Sequence, residues 1–374
     1  MSEYIKCAIE VFRHKPVRAP EILAKLLIGR ASVDMGPSLF FINDLHNRPL
    51  RSWRDYRKFD SPFQAMLREI NWAADKNLSA DKVRTAARCA ERGVPDIPIL
   101  GLIGRDTTAF PGGERFLALN DLAAVEASLT DTRNPEELYV KPADGGRGQG
   151  QHILQRSVGG WLFDGRPTTA PEAAALLLES APQSGFVVQP RLRSHRAMAP
   201  IGGALGLSTV RIVVAHTIDG PQILVATLKI IGGRGHIDNF LGGTSGNLLA
   251  HIDLATGRLQ HVVGRRPGQR YLMSPVDTHP VTKQLLPGFQ LPCWPEVLAF
   301  AGQVSQAFPE LLLPGLDVAI TDDGPLLVET NTIWNPAIQQ LMTQRGIRTL
   351  LDPVLPRLSC SDELRAKAQA LLAA

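Results

Sequence analysis

The period of apolar positions changes several times along the chain, and each change marks an element. After Ser61-Pro62, the residues Phe63, Met66, Leu67, Ile70 and Ala74 recur at helical spacing, and the proline suits the first helical position. Leu78-Ser79 opens a second helix that Gly93 ends. Pro95 and Pro98 then break the helical pattern before a short strand. Further on, Leu138 to Val140 reads as a strand, residues 151–155 as its continuation after a glycine-rich loop, 171–180 as a helix and 185–190 as a buried strand. Two hairpins follow, at 208–231 and 315–331, separated by an irregular, proline-rich stretch and a helix at 295–308. Residues 361–374 read as a closing helix, and the first 80 or so residues as mostly helical.

The hairpins carry register arguments. In 315–331 a loop of Asp322, Asp323 and Gly324, with the glycine left-handed, places Asp317 opposite Glu329. Side chains alternate faces, so Asn331 shares the face of Glu329. Opposed carboxylates repel unless a cation lies between them, and Mg²⁺ takes oxygen ligands together with phosphates. A two-residue turn would send the two carboxylates to opposite faces, and the plainer alternative is an exposed hairpin with a polar face. In 208–231 a loop of Asp219, Gly220 and Pro221 sets Arg211 opposite Lys229. Two opposed cations call for an anion such as a triphosphate or acyl phosphate, unless both stems extend to solvent.

Composition narrows the class without deciding it. The 374 residues are 44% hydrophobic and 20% charged, with net charge +4, enough for a substantial core in two or three parts. No dense basic block indicates nucleic acid as the main partner. The four cysteines form no CxxC pair, which fits a reducing compartment. No signal-peptide core and no apolar run of about 20 residues is present, so the expected location is cytoplasmic. The stretch Glu21 to Arg30 could lie on a membrane or pack on a core.

The candidate chemistry is that of anion binding. Lys82 stands near a helix start, where backbone N–H groups favour phosphate, or else is a solvated lysine. Lys141 enters the loop containing Gly145, Gly146, Gly148 and Gly150. Such glycines let a backbone approach anionic oxygens; the alternative is a mobile hairpin tip. The loop is neither a P-loop nor a dinucleotide fingerprint. The strand ending at Gln189 could meet an adenine edge, and Asn239 is a candidate polar contact or a turn residue. No histidine pair has metal-ligand spacing, and no Ser-His-Asp or Cys-His set stands out.

The order of these motifs resembles the ATP-grasp superfamily. Asp81-Lys82 precedes a helix and Gly93-Val94-Pro95; Val140-Lys141-Pro142 leads a glycine-rich flap; then come Val187-Val188-Gln189, Thr209 to Val214, Gly315 to Ala319 and Val328 to Asn331. With the residues DNFLGG at 238–243, the chain is most similar to the sugar-transfer-associated ATP-grasp subgroup, related to the α-L-glutamate ligase-like enzymes. The resemblance covers about residues 75 to 345 and departs after Asn331, at Thr332 to Pro336, where many relatives carry small residues.

The resemblance implies an α+β, ATP-grasp fold: two α/β subdomains gripping ATP, at 78–190 and 191–374, behind a mostly helical segment at 1–77. It implies that Lys82, Lys141, Gly145, Gly146 and Gly148 meet ATP phosphates, that Gln189 lines the adenine pocket, and that Asp317, Glu329 and Asn331 hold Mg²⁺. Arg211, with Lys229 and Asn331, would serve the phosphoryl transfer. The activity implied is an ATP- and Mg²⁺-dependent carboxylate–amine (or thiol) ligase, ADP-forming, acting on small-molecule carboxylate and amine substrates, conceivably in polysaccharide or sugar-conjugate biosynthesis. A kinase-like phosphotransferase and a non-catalytic nucleotide-binding module are the alternatives.

Overall fold

A computed structural model describes residues 3–71, 81–109, 112–144, 150–233, 235 and 237–373. The chain divides into two compact units: residues 75–193 with 326–330, and residues 1–74, 194–325 and 331–374.

The smaller unit is built on a seven-stranded sheet in the order β2 (Ala118–Leu119), β1 (Gly101–Ile103), β7 (Phe186–Pro190), β3 (Glu137–Pro142), β4 (His152–Ser157), β5 (Gly160–Phe163) and β6 (Arg166–Thr168). Its interior strand β7 lies between β1 and β3, antiparallel to both. That position explains the apolar run Phe186-Val187-Val188, buried on both faces. Helix α5 (Lys82–Arg92) starts where the Asp81 side chain accepts from Val83 N and Arg84 N. It stops at Gly93, which is left-handed at φ 64°. The start expected at Leu78-Ser79 lies outside the described residues. Helix α6 (Leu122–Thr130) and α7 (Ala170–Ser180) cover the sheet's core residues Leu138, Val140, Leu154 and Phe186. Thr169 and Glu172 close α7 with a reciprocal capping box.

The larger unit holds the second seven-stranded sheet, in the order β12 (Ser274–Pro275), β11 (Leu259–Gly264), β10 (Leu248–Ile252), β9 (Gly220–Ile230), β8 (Thr209–Thr217), β13 (Gly315–Thr321) and β14 (Gly324–Asn331). Helix α8 (Trp294–Ala307) buries Val297, Phe300, Ala301 and Val304, the apolar stripe its spacing predicts. The N-terminal helices α1 (Glu3–His14), α2 (Ala19–Val33) and α3 (Pro37–Ile42) form a core with Trp53, Tyr56, Tyr271 and Leu272. Ile22 and Leu26 of α2 belong to it, so the stretch read as either membrane-facing or core-packed is packed on a core. A second core joins α4 (Ser61–Asn71), the closing helix α11 (Asp362–Ala373) and Trp334. All four cysteines are unpaired. Among the described residues no helix is long and apolar enough to cross a membrane.

Both hairpins reverse on the same chemistry. Between β8 (Thr209–Thr217) and β9 (Gly220–Ile230), Thr217 Oγ1 donates to Gly220 O at 2.8 Å and accepts from Asp219 N at 3.2 Å. Between β13 (Gly315–Thr321) and β14 (Gly324–Asn331), Thr321 Oγ1 repeats both bonds with Gly324 O and Asp323 N. Gly220 and Gly324 take φ 105° and 111°, a conformation that suits glycine.

Both hairpins correct the sequence reading: Gly324 is the first residue of β14, so the second turn holds Asp322 and Asp323 alone and Asp317 does not lie opposite Glu329. The first differs likewise. Its turn holds Ile218 and Asp219, with Thr217 paired to Gly220, and a bulge follows at Val213/Val214. Arg211 therefore pairs with Thr227 rather than Lys229. Lys229 lies two positions along, on the same face.

Candidate functional site

In the smaller unit, a shallow, solvent-open cleft is lined by Lys82, Asp96, Lys141, Gln189, Glu329 and Thr330, among others. Lys82 is the first residue of α5, and its backbone N–H donates to Ala143 O at 2.9 Å, tying the helix start to the end of β3. Lys141 stands on β3 opposite Val187 of β7. Glu329 arrives on the part of β14 whose Leu327 N donates to Pro95 O at 3.1 Å. The sheet and one strand of the hairpin thus deliver two ammonium groups and a carboxylate to one cleft.

The electrostatics follow from that company. Burial lowers Lys82, opposed by Glu329, Asp144 and Asp81. Burial and the Lys82 charge bring Lys141 down to about 8, again opposed by Glu329. Two cations held together in a partly dry cleft favour an anionic ligand, because it would relieve both costs. Gln189 is buried, and its Nε2 donates to Ile97 O at 3.2 Å. Its Oε1 and the hydroxyl of Thr330 are buried and have no hydrogen-bond partner. Orphaned acceptors and donors of this kind fit a polar ligand such as a nucleotide. Asp96, which the sequence reading did not single out, is pushed up to about 7 by burial; nothing in its local sequence signals this. Gly145, Gly146 and Gly148 lie outside the described residues.

In the larger unit, a second polar cluster gathers Arg211, Lys229, Asp238, Asp317 and Asn331. Strand pairing sets Asp317 of β13 opposite Arg211 of β8. Arg211 grips it as a fork: Nε to Oδ1 at 2.6 Å and a terminal nitrogen to Oδ2 at 3.0 Å. Lys229 Nζ donates to Asp317 Oδ2 at 3.2 Å and to Asp238 Oδ1 at 3.4 Å. Asn331 Nδ2 donates to Asp317 Oδ2 at 3.3 Å. Thr209 N donates to Asp238 Oδ2 at 3.0 Å. Burial raises Asp317, but the charges of Arg211 and Lys229 outweigh it and hold the carboxyl well below its usual range. Burial lowers Lys229, and Asp238 and Asp317 more than offset that, so it stays charged. The anion between the two cations is therefore a residue of the chain, Asp317. Asp238 was read only as part of DNFLGG. Asn239 contributes its backbone carbonyl, which accepts from Asn247 Nδ2 at 2.9 Å.

Of the residues expected to hold Mg²⁺, Asp317 has both oxygens engaged by Arg211, Lys229 and Asn331. Glu329 lies with Lys82 and Lys141 in the cleft. Among the described residues no group of three or more His, Cys, Asp or Glu side chains is placed to hold a metal ion. A divalent ion at Glu329 would need oxygens from a bound ligand as well, which is how Mg²⁺ commonly sits beside phosphates.

The profile of the family described as sugar-transfer associated ATP-grasp matches residues 64–355. No curated protein matches. Among solved structures, D-cycloserine synthetase DcsG is similar at 16% identity, over 81% of this chain and 72% of that one, with TM-score 0.37. The D-alanine–D-alanine ligase from Helicobacter pylori is similar at 11% identity, over 76% and 60%, with TM-score 0.39. An ADP complex of N5-carboxyaminoimidazole ribonucleotide synthetase is similar at 10% identity, over 68% and 45%, with TM-score 0.36. The chain thus spans less than half of that last protein and under two thirds of the D-alanine–D-alanine ligase. With 64–355 matched, most of its length, the chain belongs to the sugar-transfer associated ATP-grasp family.

Proposed function

We propose that the chain is an ATP- and Mg²⁺-dependent, ADP-forming ligase that joins a small-molecule carboxylate to an amine or thiol. The observation that carries this reading is the convergence of Lys82, Lys141, Gln189 and Glu329 on one cleft, in a member of an ATP-grasp family. Phosphoryl transfer asks a protein mainly for positioning and charge neutralisation, and those are the resources this chain has.

In this reading Lys82 and Lys141 hold the phosphates of ATP and Gln189 faces the base. Glu329 is the principal metal ligand, while both oxygens of Asp317 are taken up by Arg211, Lys229 and Asn331. Bound Mg²⁺ would neutralise charge on the transferring phosphoryl group. A substrate carboxylate oxygen would attack the γ-phosphorus and ADP would leave. The amine nitrogen would then attack the acyl carbon, releasing phosphate and losing a proton. Arg211 and Lys229, held beside Asp317 and Asp238, are the residues to which the family resemblance assigns charge stabilisation. The family's description is the support for placing the substrates in sugar-conjugate or polysaccharide chemistry, and the location we infer is the cytoplasm.

The test is release of inorganic phosphate from ATP during a screen of carboxylates and amines. The account expects release only when both substrates are present, and its loss in Glu329→Gln. Phosphate retained on a product, with no need for an amine, would favour a phosphotransferase.

A further inference from the structure

The larger unit contains a second hollow of about 580 Å³, open to solvent, whose lining shares with the residues assigned above only Gly243 of the DNFLGG stretch. Arg265, Arg266 and Arg270 line it, with Gly243, Gly246 and Ser38. The three arginines belong to the loop that follows β11 (Leu259–Gly264). That loop is held from behind by α1. Both oxygens of the buried Glu10 carboxylate accept backbone N–H groups, from Arg270 at 2.7 Å, Tyr271 at 2.9 Å and Leu272 at 2.8 Å. Glu10 is thereby hydrogen-bonded to the backbone of the loop; its charge acts on Arg265, but it makes no salt-bridge contact with the loop's side chains.

Arginines in this protein are commonly paired with carboxylates, as Arg18, Arg48, Arg105, Arg191 and Arg348 are. Among the described residues, none of Arg265, Arg266 and Arg270 has a carboxylate within salt-bridge distance. The other acid near the hollow, Glu3, accepts from the Ser38 hydroxyl at 2.5 Å. Arg265 Nε is buried without a hydrogen-bond partner. The glycines serve this arginine. Gly243, left-handed at φ 85°, lies so close that a side chain there would meet Arg265 Cβ at 2.9 Å and Nε at 3.4 Å. Glycine backbone and three arginines thus line one hollow, the Arg270 guanidinium also lying over the Tyr271 ring at 5.8 Å, and a compact anion there can come close and be gripped by more than one fork.

We infer that this hollow is a binding site for a small organic phosphate monoester, with Arg265 as its central contact. A dianionic phosphate with three acceptor oxygens uses three unpaired guanidinium groups better than one carboxylate does. The hollow is sized for a small molecule and is concave, unlike the extended basic face that a nucleic acid needs. The inference gives the N-terminal helices a role: Glu10 of α1 sets the loop on which the arginines stand, and Ser38 of α3 completes the wall. It stands apart from the nucleotide reading, because no residue is shared with the Lys82–Lys141 cleft.

The experiment is titration calorimetry of the full chain at fixed ionic strength, with inorganic phosphate as probe and succinate as the dicarboxylate comparison. We expect phosphate to bind wild type, to bind Arg265→Ala at least tenfold more weakly, and to bind Arg265→Lys in between. Phosphate is titrated with the nucleotide cleft filled by ATP and Mg²⁺, and Arg265→Ala should bind ATP like wild type, which separates this site from that cleft. Gly243→Ala should also weaken phosphate, by displacing Arg265. Circular dichroism and melting of each variant guard against misfolding. Undiminished phosphate binding to the triple variant Arg265→Ala, Arg266→Ala, Arg270→Ala with the nucleotide cleft filled, or loss of ATP binding in Arg265→Ala, would overturn the assignment. Succinate binding more tightly than phosphate would overturn the phosphate choice.

Discussion

Lys141 sits in the smaller unit's cleft with its pKa brought down to about 8 by burial and by Lys82. An arriving phosphate would reverse that shift, so binding takes up a proton wherever the free lysine has lost one. Affinity for ATP should therefore hold below pH 8 and fall as pH rises through it. Lys141→Ala should bind ATP about tenfold or more weakly, the scale of a charge-assisted hydrogen bond, and should lose much of that pH dependence. Calorimetry between pH 7 and 9.5 reads both; unchanged affinity in the variant would return Lys141 to a structural role. Asp317 behaves in the opposite sense. Its folded pKa lies below the unfolded value because of Arg211 and Lys229, so its stabilisation is present above the ordinary carboxylate range and is lost as pH falls below it. Asp317→Asn leaves two buried cations with Asp238 as their remaining carboxylate and should cost about 3–5 kcal/mol. Urea unfolding at pH 7 and at about pH 2.5, below the ordinary carboxylate range, measures that loss and the shallower acid dependence of the variant.

At the scale of elements, local chemistry made much of the chain legible. Gly93 as the end of α5, the run Val187-Val188-Gln189 as a strand and the stripe in 295–308 were all readable because each depends on near neighbours. The hairpin at 208–231 shows where that stops. Its Thr-x-Asp-Gly turn takes two residues, and the bulge at Val213/Val214 adds one more shift. Neither leaves a mark that alternation alone reveals, and together they move the partner of Arg211 from Lys229 to Thr227. The sequence did show that two cations there need an anion. That the anion is Asp317 depends on pairing between strands about a hundred residues apart, which periodicity cannot reach. The Asp81 cap is a local device with a local test. Asp81→Ala should cost about 1 kcal/mol by removing the acceptor for Val83 N and Arg84 N. Asp81→Asn should retain most of that, and melting of the two variants distinguishes a cap from the side chain's ion pair with Arg105.

At the scale of the whole molecule, the sequence divided the chain at about 77 and 190, whereas the smaller unit runs over 75–193 and takes back five residues, 326–330, from the last hairpin. Such a return is invisible to a linear reading, yet it brings Glu329 to the cleft of Lys82 and Lys141. The N-terminal helices, read as a separate segment, share a core with Tyr271 and Leu272 of the larger unit. Asp96 and the three unpaired arginines were not legible for the same reason: burial and the absence of a partner are properties of the assembled chain. The central claim is that Glu329 and the two lysines form a Mg²⁺-dependent nucleotide site. Calorimetric titration of ATP, with and without Mg²⁺, into wild type and Glu329→Gln tests it most directly. The account predicts binding to wild type that strengthens with Mg²⁺, and a variant that folds normally but loses the Mg²⁺-dependent part. Equal, Mg²⁺-independent binding by both proteins, or none by wild type with Mg²⁺ present, would contradict it.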